Sequence, residues 1–329
     1  MKSEIHAGVD LVIPVYGEAP FLRQTMDSCE SLESFPVEII WILDRATMST
    51  QRQIEQFVGN NKNSNLIVSL KPGIVHALNL GIMSGKSKYI ARLDSDDVMA
   101  PDRLGIQARF LDSVSEVGVL GSQMSLISDK NEKIGLTKYP RENQNIISML
   151  EFQNCIGHPS VMFRRSVFEK VGGYNEFFTG AEDYDLWIRM AKLTKLHNLD
   201  EPLTSYRISS FQFTKSKASN QGVVETAVRL ASHGYKIVAG QDEIISHTDL
   251  VKSNKSNFTS VKSENPDLYK KLRSISILNK AYAIKSKRGR YTKGIGLALL
   301  ALLISPKSIL RYISIKKEPL NVIFGPRSG

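Results

Sequence analysis

Three carboxylates crowd into four residues in Tyr89-Ile90-Ala91-Arg92-Leu93-Asp94-Ser95-Asp96-Asp97, directly after a short apolar run. Such a run reads as a buried strand, and in open α/β sheets ligands bind at the carboxyl ends of strands. Like charges this close repel one another. A divalent cation removes that cost, and carboxylate oxygens suit Mg²⁺ or Mn²⁺. A cation held by one or two carboxylates, with its other positions open, binds substrate phosphates. The alternative is a solvated acidic turn capping a helix that Pro101 opens. Asp44 ends another apolar run and falls on the same expected edge, as a ligand contact or as a turn residue. Pro14-Val15-Tyr16-Gly17-Glu18 lines the same crevice, with Tyr16 either facing a base or packed in its loop. Arg92 either neutralises phosphate or pairs with a neighbouring aspartate.

A second acidic cluster is Ala181-Glu182-Asp183-Tyr184-Asp185-Leu186-Trp187-Ile188-Arg189. Acids in a first helical turn are stabilised by the helix dipole, which is reason enough for their presence. The same dipole favours an ionised Asp183, the state in which a general base for a hydroxyl must be. Two other motifs mislead. Gly81-Ile82-Met83-Ser84-Gly85-Lys86-Ser87 is one residue short of a P-loop and runs from helix to strand, the reverse of the required order. His158-Pro159 has no second His or Cys at ligand spacing, so His158 is expected to be structural or to face an acceptor.

The elements that must position these groups alternate. Apolar runs at 9–15, 37–43, 66–70 and 89–93 read as strands, and helical spacing covers 21–32 and 76–84. This alternation predicts an α/β, doubly wound, mostly parallel sheet. A helix from Pro101, strands at 118–127 and 160–164, and a helix over 182–193 with Leu186, Met190 and Leu193 on one side follow. Beyond about Phe213 the pattern turns polar and helical. The expected division is a catalytic domain at 1–212, a helical extension at 213–284 and a basic tail at 285–329.

In combination these residues resemble family 2 glycosyltransferases of the GT-A fold, of the bacterial surface-polysaccharide type, over roughly residues 9–210. Ile13-Pro14-Val15-Tyr16 is similar to the family's first-strand signature and Asp44 to its base-contacting aspartate. Lys71, Gly73, Ala77, Leu78, Asn79, Gly81 and Ile82 match the segment leading into the metal site. Asp94-Ser95-Asp96-Asp97 with Pro101, Arg103 and Leu104 resembles the Asp-x-Asp motif and the helix after it. His158-Pro159-Ser160, Gly172-Gly173-Tyr174 and Glu182-Asp183 also fit. The resemblance implies a nucleotide-diphosphate sugar donor, UDP-linked, bound by Pro14, Val15, Tyr16, Glu18, Asp44, Lys71, Gly73, Asn79, Arg92, Asp94 and Ser95. It further implies Asp96 as principal ligand of Mg²⁺ or Mn²⁺, with Asp94 on the ribose or the metal's waters. Asp183 would be the base of an inverting transfer to a glycan or lipid-linked acceptor, with His158 and Glu182 on the acceptor side. The second strand ends Asp44-Arg45-Ala46, where the family often has two acids, a Gly and a Ser. The chain also lacks the Gln-x-x-Arg-Trp pattern of processive synthases after Asp183.

The 329 residues, 42% hydrophobic, can bury a full core. Cys29 and Cys155 suggest no disulfide framework, and the start shows no signal-peptide stretch. The net charge of +10 is concentrated: residues 285–329 hold ten basic residues and one acid, which leaves 33 basic and 32 acidic residues before them. The apolar run at 294–304 within that tail is too short to span a bilayer, which takes about 20 residues. A basic, partly apolar tail suits the anionic inner face of a membrane, or else packs as a core helix with a solvated rim. Few aromatics accompany it, so nucleic acid is not the expected partner. The expected location is cytoplasmic and peripheral to the membrane. A sugar-phosphate nucleotidyltransferase would need a Gly-rich basic loop, which residues 14–23 do not supply. A non-catalytic GT-A-like binding protein would be favoured by loss of Asp96 or Asp183, and both are present.

Overall fold

The computed structural model describes residues 6–30, 36–209 and 218–232, with positions 254, 257, 261–270, 272–274, 277, 301, 303 and 305. Chain contacts divide it into two units, residues 1–147 with 154–221, and residues 148–153 with 222–329.

The first unit is built on a nine-stranded sheet. Its parallel half comprises β1 (His6–Tyr16), β2 (Val37–Asp44), β3 (Ser64–Val68) and β4 (Ser87–Arg92), in the order β3-β2-β1-β4. Val9, Leu11, Val12, Ile13 and Val15 are all buried, so both faces of β1 are covered, as a central parallel strand requires. Between these strands run α1 (Leu22–Cys29), α2 (Met48–Asn60) and α3 (Ile74–Ser84). Gly81 lets α3 sit close on the sheet: a Cβ there would lie 2.5 Å from Ile42 Cδ1. That close approach accounts for part of the false P-loop.

The rest of the sheet mixes directions. It adds β5 (Val98–Met99), β6 (Val117–Ile127), β7 (Lys133–Leu136), β8 (Met162–Arg164) and β9 (Lys195–Arg207). β8 runs antiparallel to both β4 and β6, while β6 and β9 are parallel. The helices here are α4 (Arg103–Ser113), α5 (Asn143–Leu150), α6 (Arg165–Lys170) and α7 (Glu182–Met190), whereas most of α8 (Ala218–Ser232) belongs to the second unit.

Several local expectations are corrected. Pro101 lies in the turn before α4 and does not open it; the helix begins at Arg103 after Asp102. The strand expected from Ser160 starts at Met162, behind a 3₁₀ turn over His158–Ser160. α7 stops at Met190, and Leu193 is exposed while Leu186 and Met190 are buried. β9 was not expected at all. Its Asn198, Asp200, Glu201 and Pro202 disguise it, and its register against β6 shifts near Pro202.

Two buried arginines tie the sheet together. Arg103, fully buried, donates to the carbonyls of Pro159, Arg92 and Val161 and to Gln107, so α4 clamps the junction of β4 and β8. Burial lowers its pKa to about 9. Arg165 pairs with Asp10 in the middle of β1 at 2.5 Å, and Ser87 donates to the same carboxylate.

In the second unit Leu230, Val261, Leu268 and Leu272 form a small apolar cluster with Tyr269 against it. The tail at 285–329, apart from positions 301, 303 and 305, lies outside the described residues, as does most of 213–284. Among the described residues no helix is long and apolar enough to cross a membrane.

Candidate active site

Strand register puts the chemistry on one edge. Tyr16 pairs with Asp44 at the ends of β1 and β2, and Val12 pairs with Arg92 near the end of β4. The turn 94–97 therefore leaves the sheet at the carboxyl edge, next to the strand-order reversal where α/β sheets bind ligands.

In that turn Asp94, Asp96 and Asp97 each place a carboxylate oxygen within 4.8 Å of the others. Asp94 is gripped by Arg92, whose Nη1 donates at 2.9 Å. Arg92 therefore pairs with a neighbouring aspartate, one of its two expected roles. Burial, then repulsion from Asp94, pushes Asp96 up to about 7. Burial and both neighbouring acids push Asp97 well above the ordinary carboxylate range. Asp97 Oδ1 accepts from the Arg207 backbone N–H at 2.8 Å, while its buried Oδ2 has no partner among the described residues. A solvated cap would not have these properties. An unpaired buried oxygen within a set of hard ligands fits Mg²⁺ or Mn²⁺, and Asp97 joins the expected Asp96 and Asp94 in the candidate set.

Arg207, which is not among the expected site residues, holds this turn. Its Nε donates to Asp96 O at 2.8 Å, its Nη1 to Ser128 O and Asn131 Oδ1, and its Nη2 to Gln24 Oε1. The guanidinium also lies over Phe21, 4.1 Å from the ring centroid. An arginine at the end of a polar strand was the only available signal.

The donor-side residues fall into two groups. Pro14 and Val15 are buried in β1, whereas Tyr16 and Glu18 are exposed at its mouth and Ser95 is half-buried in the acidic turn. Asp44 is buried and accepts from Arg45 and from Gly73 N. Lys71 bonds Glu176, and the Asn79 amide is engaged at both ends by the Tyr174 backbone. That double bond latches the Gly172-Gly173-Tyr174 turn onto α3. Both glycines have φ of 78°, a conformation that favours glycine.

The second acidic cluster opens α7 behind Gly180, whose φ is 97°. Glu182 accepts from Gly180 N, and burial raises its pKa. Asp183 accepts from Tyr184 N at 2.7 Å and from Asn154 Nδ2 at 2.6 Å. Burial, then Glu182, moves Asp183 up to about 7, so the dipole does not keep it strongly acidic as expected. Desolvation outweighs the helix terminus here. His158 is half-buried between Tyr174, whose hydroxyl lies 2.7 Å from its Nε2, and the Trp187 ring. Burial, then Arg92, lowers its pKa well below normal, so its 4.0 Å approach to Asp183 is no ion pair.

The two acidic clusters share one electrostatic neighbourhood. Arg92 feels Asp94, Asp97 and Glu182, and its charge reaches Asp183 in turn.

A parallel half-sheet with acids on its carboxyl edge, continued by a mixed half, is the GT-A architecture of glycosyltransferases, and solved structures share it. Residues 1–349 of TarS from S. aureus, in complex with UDP-GlcNAc, align with TM-score 0.57 and 13% identity over 94% of this chain and 90% of that one. The mannosyltransferase PcManGT from Pyrobaculum calidifontis, in complex with GDP-Man and Mn²⁺, aligns with TM-score 0.51 and 13% identity over 94% and 88%. In sequence, residues 10–172 match glycosyl transferase family 2, and this segment belongs to that family. It is 38% identical over 143 residues to the O-antigen biosynthesis glycosyltransferase WbnJ of Escherichia coli, covering 43% of this chain and 55% of that protein. An uncharacterized glycosyltransferase of Haemophilus influenzae is 26% identical over 232 residues, 68% of this chain and 71% of that one.

Proposed function

We propose that the chain transfers a sugar from a UDP-linked donor to a hydroxyl of a glycan or lipid-linked acceptor in bacterial surface-polysaccharide assembly, with inversion at the anomeric carbon. The observation that carries this reading is the pairing of a carboxylate-rich turn with a separate carboxylate pair, buried Glu182 and half-buried Asp183, around one arginine, Arg92. WbnJ's role in O-antigen biosynthesis supports the acceptor class.

In this reading Asp96 and Asp97, with Asp94 beside them, hold Mg²⁺ or Mn²⁺, which when bound stabilises the charge of the departing diphosphate. Arg92 fixes Asp94, and Arg207 fixes the backbone of the turn, so the carboxylates stay converged without collapsing onto other partners. Tyr16, Asp44 and Gly73 line the nucleoside end. Asp183, oriented by Asn154 and the Tyr184 N–H, takes the proton from the acceptor hydroxyl as that oxygen attacks the sugar. A base poised near neutrality suits that step. The test is turnover of a panel of nucleotide sugars to free nucleoside diphosphate. Turnover should be highest with a UDP sugar and disappear when EDTA replaces Mn²⁺; turnover indifferent to the metal would contradict the reading.

The basic tail is proposed to hold the enzyme at an anionic membrane surface. Each Lys or Arg near such a leaflet contributes about 1 kcal/mol, screened by salt. Sedimentation with anionic liposomes should therefore weaken at high salt and be lost on removal of residues 285–329. Equal binding by the intact and shortened proteins would make the tail a structural element.

A further inference from the structure

Arg45 is held at the carboxyl edge of β2 in an unusual way. Its φ is 52°, in the left-handed region that a non-glycine residue adopts at a cost and that recurs at functional sites. Its Nε and Nη2 donate to the two oxygens of Asp44 at 2.9 and 3.3 Å, and its Cζ lies 4.9 Å from the Tyr16 ring centroid. Gly73 N donates to Asp44 Oδ2 at 2.9 Å. Both Asp44 oxygens are therefore engaged. What this edge presents outward is a set of donors, namely both hydrogens of Nη1 and the second hydrogen of Nη2, which have no partner among the described residues. The ground beside them is open: a Cβ built at Gly17 or Gly73 would meet nothing within 4 Å.

We propose that Arg45 determines nucleobase specificity, selecting bases with a keto oxygen at pyrimidine C4 or purine C6, uracil or guanine, over those with an amine at that position, cytosine or adenine. The inference rests on the reading that a nucleotide sugar binds at this edge. Uracil offers an acceptor at the ring position where cytosine offers an amine, and guanine differs from adenine in the same sense. A guanidinium has donors only. It bonds the keto oxygen and sets donor against donor at the amine, so discrimination combines attraction with repulsion. Two fixed points, the Asp44 carboxylate and the Tyr16 ring, keep the fork from turning away.

Calorimetry of the full chain with UDP, CDP, GDP and ADP in Mn²⁺ tests this and shows which keto base is preferred. A keto base should bind roughly tenfold or more tightly than its amine counterpart, the scale of one charge-assisted hydrogen bond. Arg45→Met should bring that ratio close to one. Arg45→Lys, which keeps the charge but loses the planar fork, should also lower it. The Arg45 side chain is 58% exposed, so an unchanged Tm is expected for both variants. An equal loss for all four ligands in Arg45→Met would make Arg45 a phosphate contact and overturn the proposal, as would equal binding of keto and amine bases by the unsubstituted protein. If none of the four binds, the donor-site reading itself fails and this one falls with it.

Discussion

Replacing Asp183 by asparagine is expected to lower turnover by about 10²–10⁴-fold while nucleotide binding survives, the range in which a positioned general base contributes. Asparagine preserves shape and can still accept from Tyr184 N, so the loss would report proton transfer and not collapse of α7. The pH profile provides an independent readout. Burial and Glu182 raise Asp183 to about 7, and the base acts only when ionised. At saturating Mn²⁺, where protons no longer compete for the acidic turn, kcat/KM should therefore rise with pH through a limb near neutrality. That limb should vanish in Asp183→Asn. Near-normal turnover in the variant would transfer the role to another acid, with Glu182 and Asp185 next in line.

The largest expected effect on stability lies well away from the chemistry. The Asp10 side chain is 0% and the Arg165 side chain 6% exposed, and Asp10 receives two further bonds from Ser87. Asp10→Ala would leave a buried guanidinium without its counter-charge, a change that costs about 3–5 kcal/mol. Gly85 packs against the same carboxylate, so the wall of the space left behind is stiff backbone. Chemical denaturation should show this loss directly. Arg165→Met added to Asp10→Ala should recover part of it, because the unpaired charge is then gone. A cost under about 1 kcal/mol for the single variant would mean that water reaches Arg165 and the pair is not structural.

What the sequence disclosed follows the physics of the elements concerned. β1, β2 and β4 are central parallel strands, covered on both faces, so they read as continuous apolar runs. Their carboxyl ends were legible for the same reason, which located Tyr16, Asp44 and the acidic turn. β9 was hidden because its pairing with β6 is interrupted near Pro202 and its sequence reads as a loop. Arg207 and Asn154 were hidden for a different reason. Their partners lie 110 and 29 residues away, and no local pattern reports a contact that only the fold creates. At Asp183 burial and Glu182 raise the pKa against the helix terminus, and burial is not visible in a local motif. Asn79 shows the reverse case, a residue matched to a donor-side motif whose amide is given over to the Tyr174 backbone.

In the proposed function a divalent ion on the 94–97 turn recruits the donor's diphosphate. Isothermal titration of UDP measures it most directly, with the intact chain in Mn²⁺, the intact chain in EDTA, and Asp96→Ala in Mn²⁺. Clear binding is expected in the first case and a large loss of affinity in the other two, because the turn then presents uncompensated carboxylates to a polyanion. Equal affinity under all three conditions would contradict it.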